Sequence, residues 1–325
     1  MSKALNRRNA LKATAATLLP ATLGLDVMAQ DAYPSKPIKI IVALPAGGVA
    51  DVSVRILGEA MSPVLNQPIV IDNKPGGIFQ IGIQQATQSA PDGYTLIHII
   101  NSMLAAQAAL KRYDMTKQLT PVCLFGATDG AMFCSNAAPF KTPQEMIAWA
   151  KANPDKLNYG TSGPGTLEHL FMAAFAKKFG FTAVHVPFKG GPDVMTALAQ
   201  NEIQVAATAV PLALQFGQRV RPLSMLVDKR NPLLPNLPTL KEQGVDFTTM
   251  QYWGALAAPA GTPKAVIDTL ARHVANVVAT PALAAKYAAV GLNPMSNTTE
   301  QMTRLIADDL KFLTAAVVDA DLKIN

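Results

Sequence analysis

The order of apolar and polar residues along the chain predicts short buried strands that alternate with amphipathic helices. The first unit begins with Ile38 to Leu44, a β-branched apolar run between two prolines that is too short for a buried helix. Beyond Asp51, apolar residues recur every three or four positions, as on one face of a helix. These residues are Val54, Leu57, Met61 and Leu65. The unit is therefore a strand, a glycine loop and a helix.

The glycine loop of this unit is typical of an anion-binding turn. Gly47 and Gly48 let the backbone turn tightly, so N–H groups of the loop and of the first helical turn can point at one negative group. The alternative is an ordinary strand-to-helix turn in an α/β core. This stretch alone does not separate the two interpretations.

The same arrangement occurs twice more along the chain. A short strand beginning at Leu157 leads through a Gly/Ser/Thr loop ending at Thr166 into a helix. A strand at 184–188 leads through the segment 189–192 into a helix at about 193–199. Three such junctions, two of them with paired glycines, predict one anion pocket with several walls.

The rest of the pattern adds five strands and five helices. Strands are predicted at 68–73, 94–100, 122–125, 131–134 and 253–259. Helices are predicted at 81–90, 143–153, 263–277, 281–289 and 299–318. Asn101, Ser102 and Met103 follow the strand at 94–100, at the edge of an open α/β sheet where ligands bind.

The two cysteines lie in predicted neighbouring strands. A hairpin turn between the strands at 122–125 and 131–134 would bring Cys123 and Cys134 onto adjacent chains. An oxidising compartment would permit a disulfide between them. We expect two buried free thiols, because a disulfide requires a specific geometry, and we keep the disulfide as the alternative.

Length and composition indicate a large core and exclude nucleic acid as a partner. A chain of 325 residues that is 50% hydrophobic can form two domains. The net charge is +6, but the first 29 residues hold four basic residues and one acidic residue. The remaining basic residues are scattered, with no basic stripe interleaved with aromatic residues.

Residues 1–29 have the pattern of an export signal. Arg7 and Arg8 resemble a twin-arginine motif and precede a mildly apolar stretch at 13–25. The segment 27–29 ends in Ala29 and suits cleavage near that residue. We expect export by the twin-arginine route into the periplasm, with general secretion as the alternative. No other uncharged apolar run is long enough to predict a membrane-spanning helix.

Known catalytic and metal-binding patterns are not matched. Residues 160–164 fail the G-x-S-x-G nucleophile pattern at its last position. The four histidines have no metal-ligand spacing among themselves or with cysteine. We therefore expect no metal, no cofactor and no enzymatic turnover. The histidines His98 and His185 lie within strand patterns and are interpreted as packed residues.

Motifs spread over nearly the whole mature chain resemble the Bug family, the extracytoplasmic solute receptors of tripartite tricarboxylate transporters. They lie at 33–38, 45–51, 72–77, 90–96, 119–122, 160–166, 188–191 and 258–263, with His169 after the Gly/Ser/Thr loop. The resemblance implies an α/β, two-domain periplasmic-binding-protein fold of the type II-like class, with two crossovers and a ligand cleft between the domains.

The resemblance also implies the domain organisation and the function. Residues 30–122 and 224–325 would form domain 1, and residues 123–223 domain 2. A small carboxylate would be captured in the cleft by a monomeric receptor and delivered to integral membrane transporter subunits. The alternatives are an α/β hydrolytic enzyme or a ligand-sensing module that uses the same cleft.

Residues that match the family motifs are expected to face the ligand. One wall comprises Gly47, Gly48, Val49, Ala50, Asp51, Ser102 and Met103. The opposite wall comprises Thr161, Ser162, Thr166, His169, Lys189 and Gly190. Two positions that depart from the family pattern complete the set: Phe79, where a small residue is usual, and Thr208, in a stretch without the acidic residue that many members carry.

These departures bear on the type of ligand. An α-amino acid brings an ammonium group that is costly to bury without a carboxylate or several acceptors opposite it. The segment around Thr208 offers no charge, whereas Phe79 and Phe188 would supply flat apolar surface. We therefore expect an aromatic or aliphatic mono- or dicarboxylate without an amino group.

Overall fold

The computed structural model describes residues 33–322, and the predicted signal segment 1–29 lies outside that range. The strands are β1 (Ile38–Val42), β2 (Ile69–Asn73), β3 (Thr95–Ile100), β4 (Leu119–Ser135), β5 (Asn158–Thr161), β6 (Val184–Pro187), β7 (Val205–Ala209), β8 (Val220–Met225), β9 (Gln251–Pro259) and β10 (Asn293–Pro294). The helices are α1 (Val49–Leu65), α2 (Gln80–Thr87), α3 (Asn101–Leu110), α4 (Met115–Gln118), α5 (Pro143–Ala152), α6 (Leu167–Phe179), α7 (Gly191–Ala199), α8 (Val210–Leu214), α9 (Lys264–Val278), α10 (Pro281–Ala289) and α11 (Thr299–Asp319).

The strands form one mixed sheet in the order β2-β1-β3-β9-β4-β7-β5-β6, and β8 and β10 also pair with β4. Pairing is parallel at both ends, between β1 and its neighbours and between β5 and its neighbours. The strands β4 and β9 in the middle are antiparallel to their partners. Parallel strands joined through helices explain why the sequence alternates between the two patterns.

Strand β4 belongs to both halves of the sheet. Its first part, Leu119 to Asp129, pairs with β9. Its last part, from Gly130 onward, pairs with β7 and β8. We call the half built on β1, β2, β3, β9 and β10 the first lobe, and the half built on β5, β6, β7 and β8 the second lobe.

Each lobe has apolar clusters on both faces of its sheet. In the first lobe, Ile41 and Ile97 pack towards α3 and α11, whereas Ile40 and Leu96 pack towards α1 and α9. In the second lobe, one cluster includes residues of α5 and α6 and the other includes residues of α7 and α8. Burial of these faces is the main favourable term in the stability of each lobe.

The predicted hairpin between 122–125 and 131–134 is wrong, because β4 continues unbroken through it. Gly130, between the two predicted strands, allows close packing, because a Cβ there would lie 2.5 Å from the Met250 carbonyl oxygen. Cys123 and Cys134 are buried free thiols, as expected. Eleven residues of extended strand separate them by roughly 36 Å, far beyond disulfide reach.

Helix α3 is the main element that the sequence pattern does not predict. It begins at Asn101, directly after β3, where the pattern indicated only the polar end of a strand. Residues 101–108 are all buried, so α3 has no polar face and no helical periodicity. Within residues 33–322, no helix combines the length and apolar character needed to cross a bilayer.

Candidate functional site

A cavity of about 110 Å³ lies between the two lobes. Since a cavity needs a volume of roughly 10–15 Å³ to hold one water, this one has room for roughly 7–11 waters or a small organic ligand. Residues of both lobes line it, including Gly48 and His98 from the first and Ser162 and Glu168 from the second. Its described lining includes no lysine or arginine.

The first wall is the amino end of α1. Gly48 precedes the helix, and no side chain caps the first turn. The first-turn N–H groups of Val49 and Ala50 precede the helical hydrogen bonds, and both residues line the cavity. The 17-residue helix adds the positive end of its dipole, so this wall favours a negative group.

Asp51 braces this loop and does not line the cavity. Its carboxylate accepts hydrogen bonds from the Gly47 N–H at 2.9 Å, from Arg55 Nε at 3.0 Å and from Asn73 Nδ2 at 3.0 Å. Burial alone would raise the pKa of Asp51, but the hydrogen bonds from Arg55, Gly47 and Asn73 outweigh it and lower the pKa. The carboxylate is therefore ionised and holds Gly47 in its left-handed conformation, with φ +81°.

The second wall is the amino end of α6, which a residue of the first lobe caps. The Thr166 side chain does not cap the helix but donates to the Gly163 carbonyl at 2.8 Å. Instead, Ser102 Oγ in the first lobe accepts from the Leu167 N–H at 3.0 Å. This contact joins the two lobes across the cavity.

Glu168, in the first turn of α6, places a carboxylate in the cavity lining. Its Oε2 accepts hydrogen bonds from Ser102 Oγ and Ser162 Oγ, each at 3.3 Å. Burial raises the pKa of Glu168, and hydrogen bonds to its carboxylate offset this only in part. Among residues 33–322, Glu168 forms no salt bridge.

His98 of β3 is a buried polar group of the same cavity. It is 1% exposed, and neither ring nitrogen has a hydrogen-bond partner among the described residues. Burial lowers the pKa of His98 to about 3, so the imidazole is neutral, with one donor and one acceptor nitrogen. Gly254 makes room for the ring, because a Cβ there would lie 2.6 Å from His98 Nε2.

His169 and His185 lie behind the Gly/Ser/Thr loop rather than in the cavity lining. His169 Nδ1 accepts from the Gly165 N–H at 3.0 Å, and the two rings stack with centroids 3.7 Å apart. His185 Nε2 lies 2.6 Å from Thr161 Oγ1. Burial lowers the pKa of His169 to about 3 and that of His185 to about 4, so both are neutral supports of the loop.

The glycine loops of the two lobes approach each other at the cavity. A Cβ on Gly190 would lie 2.9 Å from Pro45 Cγ, and one on Gly48 would lie 3.9 Å from Pro192 Cδ. The φ angle is −77° at Gly48 and 179° at Gly190, so neither glycine is in the left-handed region. Gly190 is needed because the two loops approach closely there.

The structure brings seven of the fifteen predicted residues to the cavity lining. These are Gly48, Val49, Ala50, Phe79, Ser102, Ser162 and Thr208. Eight lie outside the lining, although most adjoin it in sequence. These are Gly47, Asp51, Met103, Thr161, Thr166, His169, Lys189 and Gly190.

Phe79 and Phe188 differ in their surroundings. Phe79 lines the cavity, is 3% exposed and has a left-handed backbone, with φ +68°. Phe188 packs against the cluster that includes α7 and α8 and does not line the cavity. Of the two aromatic surfaces considered from the sequence, only that of Phe79 adjoins the cavity.

Sequence reasoning missed several polar residues of the lining, among them His98, Glu168 and Tyr252. The position of Glu168 in a first helical turn after the glycine loop is a signal that could have found it. His98 and Ile100 lie two positions apart on β3, so they share one face of the strand, and both line the cavity. The sequence pattern alone does not tell which face of the strand meets a ligand.

Comparisons with known proteins agree with this architecture. The sequence model of the family described as "TctC: Tripartite tricarboxylate transporter family receptor" matches residues 53–321. Protein BugT of Bordetella pertussis is 28% identical over 312 residues, which cover 94% of this chain and 96% of BugT. A solved structure described as that of a periplasmic transporter is 28% identical, with a TM-score of 0.85, covering 90% of this chain and 100% of that one. The structure of the R. palustris protein Rpa4515 with adipate is 25% identical in sequence, with a TM-score of 0.84. The match covers 89% of this chain and 99% of that one.

An α/β fold of two lobes with a cavity between them, together with these relatives, defines a solute-binding receptor of the two-domain periplasmic-binding-protein class. The chain belongs to the receptor family of tripartite tricarboxylate transporters. The predicted fold class and the resemblance to the Bug family are confirmed. This family consists of solute receptors rather than enzymes.

Proposed function

We propose that this chain captures a small carboxylate between its lobes in the periplasm and delivers it to the membrane subunits of a tripartite tricarboxylate transporter. The observation that carries the proposal is the uncapped amino end of α1, whose Val49 and Ala50 line the interlobe cavity. A carboxylate there accepts hydrogen bonds from backbone N–H groups at the positive end of a helix dipole. The adipate in the related Rpa4515 structure supports this ligand class.

The absence of lysine and arginine from the described lining suits a receptor that must also release its ligand. Neutral N–H donors and the helix dipole hold a carboxylate without a buried ion pair, which would be strongly destabilised if either partner left. His98, neutral and buried, adds a further neutral donor. The site therefore binds an anion with charge supplied mainly by backbone dipoles.

The proposed domain division is the predicted one, with 30–122 and 224–325 in domain 1 and 123–223 in domain 2. The change of pairing partners along β4, from β9 to β7 and β8, supports a boundary within that strand, and the change itself falls between Asp129 and Gly130 rather than at 122/123. Closure of the two domains about the segments that connect them would enclose a ligand in the cleft. We propose that the receptor is monomeric and that residues 1–29 direct export, with cleavage near Ala29.

The sequence predicts a carboxylate without an amino group, and one reason for that prediction no longer holds. The prediction assumed that no acidic side chain opposes an ammonium group, and Glu168 now lies in the lining. Size supports a compact ligand, since the cavity of about 110 Å³ suits roughly 7–11 heavy atoms. Small mono- and dicarboxylates fall in this range.

The test uses the mature chain, residues 30–325, in isothermal titration calorimetry with mono- and dicarboxylates of two to eight carbons. We expect at least one to bind with micromolar or tighter affinity and to be recovered unchanged. Native mass spectrometry of the freshly purified protein would identify a co-purified ligand. Saturation by none of these carboxylates, or conversion of one to product, would contradict the proposal.

Export is tested separately. Arg7→Lys with Arg8→Lys should leave uncleaved precursor in the cytoplasm, because the twin-arginine route requires the arginine pair. Cell fractionation followed by immunoblotting measures the distribution. A normal periplasmic yield from the double variant would contradict this route and favour general secretion.

A further inference from the structure

We propose that Glu168 is a specificity-determining residue, which makes the cavity prefer carboxylates that carry a hydrogen-bond donor, hydroxyl or ammonium, at the end facing α6. This inference rests on the proposed carboxylate-binding function and concerns the opposite end of the ligand. The residue lies in the first turn of α6, in the second lobe, and lines the cavity.

The hydrogen bonds of Glu168 leave acceptor capacity free. The hydrogen bonds from the Ser102 and Ser162 hydroxyls both go to Oε2, and both are long at 3.3 Å. A carboxylate has about four lone-pair sites on its two oxygens, so Oε1 can accept further donors. The donors around it are hydroxyl groups, with no basic side chain paired to it within residues 33–322.

A second observation concerns the buried polar groups of the same cavity. Both ring nitrogens of His98 are buried without a hydrogen-bond partner among the described residues. The hydroxyl of Tyr252 instead interacts with Glu168: burial, then the charge of Glu168 and a hydrogen bond to it, raise the pKa of Tyr252 well above its usual value. Buried polar groups are almost always satisfied, so His98 points to a ligand with a polar atom near β3.

The two ends of the cavity therefore differ in the groups that they present. At the α1 end, Val49 and Ala50 present backbone N–H groups and the positive end of a dipole. At the α6 end, Glu168 presents carboxyl oxygens that can accept hydrogen bonds. A plain dicarboxylate would set one of its charges against Glu168, whereas a hydroxyl or ammonium would donate to it. The favoured ligand has a carboxylate towards α1 and a donor towards α6.

The experiment compares ligands of equal length by isothermal titration calorimetry on the mature chain. The probes are glutarate, 5-hydroxypentanoate and 5-aminopentanoate, and the matching six-carbon series of adipate, 6-hydroxyhexanoate and 6-aminohexanoate. We expect at least one donor-bearing member to bind tenfold or more tightly than the dicarboxylate of its series. The hydroxyl and amino members separate a neutral donor from a charge pair.

The Glu168→Gln variant removes the charge while keeping the size. We expect it to weaken the preferred donor-bearing ligand at least tenfold and to strengthen the dicarboxylate of the same series. Glu202→Gln is the matched control, because Glu202 is exposed in the second lobe and its change removes the same charge outside the cavity. The wild-type comparison needs no variant, so it stands even where Glu168→Gln folds poorly.

The outcomes separate this inference from the proposed function. If dicarboxylates bind as tightly as their donor-bearing partners, and Glu168→Gln leaves the ratio within threefold, the inference is overturned while the carboxylate receptor stands. If no carboxylate of either series or of the wider panel binds, both are overturned.

Discussion

Ser102 of the first lobe accepts a hydrogen bond from the Leu167 N–H of the second lobe at 3.0 Å and thereby caps helix α6 from across the cavity. An N-cap normally comes from the residue that precedes the helix, but Thr166 donates elsewhere. This cap requires that the two lobes be in contact. We therefore expect closure of the cleft and capping of α6 to be coupled through one hydroxyl group.

Ser102→Ala should weaken ligand binding more than it weakens the fold. Loss of an N-cap typically costs about 0.5–2 kcal/mol, and here that cost falls on the closed form, so affinity should drop roughly 2- to 30-fold. Calorimetry with the best carboxylate measures it. Thr298→Ala, which removes the cap of α11 outside the cavity, is the control and should lower the melting temperature without changing affinity. Equal affinity in the Ser102 variant and wild type would contradict the coupling.

Gly48→Asp should abolish carboxylate binding and leave the fold intact. A Cβ at Gly48 meets no atom closer than 3.7 Å, and its φ of −77° suits any residue, so the side chain is accommodated. The new carboxylate lies at the α1 wall and repels the ligand. We expect at least a tenfold loss, equivalent to 1.4 kcal/mol. Gly48→Asn has the same size without the charge and should lose clearly less; matching losses would indicate a steric effect.

Asp51→Asn should destabilise the protein more at neutral pH than in acid. The folded-state pKa of Asp51 is lowered, so its stabilising effect is present above the unfolded pKa and is lost as pH falls through the folded value. We expect a loss of about 1–3 kcal/mol at pH 7, typical of hydrogen bonds to a charged group. Urea unfolding at pH 7 and at pH 3 measures it, and the difference between the two proteins should be smaller at pH 3 than at pH 7.

The control for Asp51 is Asp72→Asn in β2. Asp72 forms a partly exposed salt bridge with Lys74 at 3.2 Å, and such pairs contribute about 0–1 kcal/mol. It should therefore change stability little at either pH. A pH-independent loss in the Asp51 variant would indicate that the carboxylate acts by packing and not through its charge.

His98→Leu should lower affinity while making the fold more resistant to mild acid. With a folded pKa of about 3 and an unfolded pKa near 6.5, His98 is protonated more readily when unfolded, so it destabilises the fold as pH falls below about 6.5. At pH 5 this amounts to about 2 kcal/mol. The variant should gain that stability relative to wild type between pH 7 and pH 5, measured by urea unfolding.

Ligand affinity of the His98 variant separates a binding role from packing. Loss of a neutral donor to a carboxylate should weaken binding by about tenfold, or roughly 1–1.5 kcal/mol. His273→Leu, at a partly buried histidine outside the cavity lining, is the control and should bind normally. Unchanged affinity in His98→Leu would show that the ring does not contact the ligand.

Local patterns in the sequence predicted the three strand–loop–helix junctions, because each depends on a few adjacent residues. The helix predicted at 281–289 matches α10 residue for residue, since Pro281 after Thr280 marks its start. Helix α3 could not be predicted in this way. Its residues 101–108 are all buried, so no solvent-exposed polar face remains to identify it.

The site was only half predictable for a related reason. Gly48, Val49 and Ala50 are defined by their own loop, whereas the roles of Glu168 and His98 depend on which elements the fold brings opposite them. Asp51 shows the converse: its place in a family motif suggested a ligand contact, but its carboxylate accepts hydrogen bonds from Arg55 and Asn73 and stabilises the loop instead. Tertiary pairing, and not local sequence, decides between these outcomes.

The unbroken path of β4 gives each lobe one native thiol reporter. Cys123 pairs with Leu256 in the first lobe, and Cys134 pairs with Val205 in the second. Both are fully buried, and burial raises the pKa of Cys123 to about 12, so neither reacts until its own surroundings open. The rates at which a thiol reagent modifies the two cysteines would measure the opening of each lobe separately, within one unlabelled molecule.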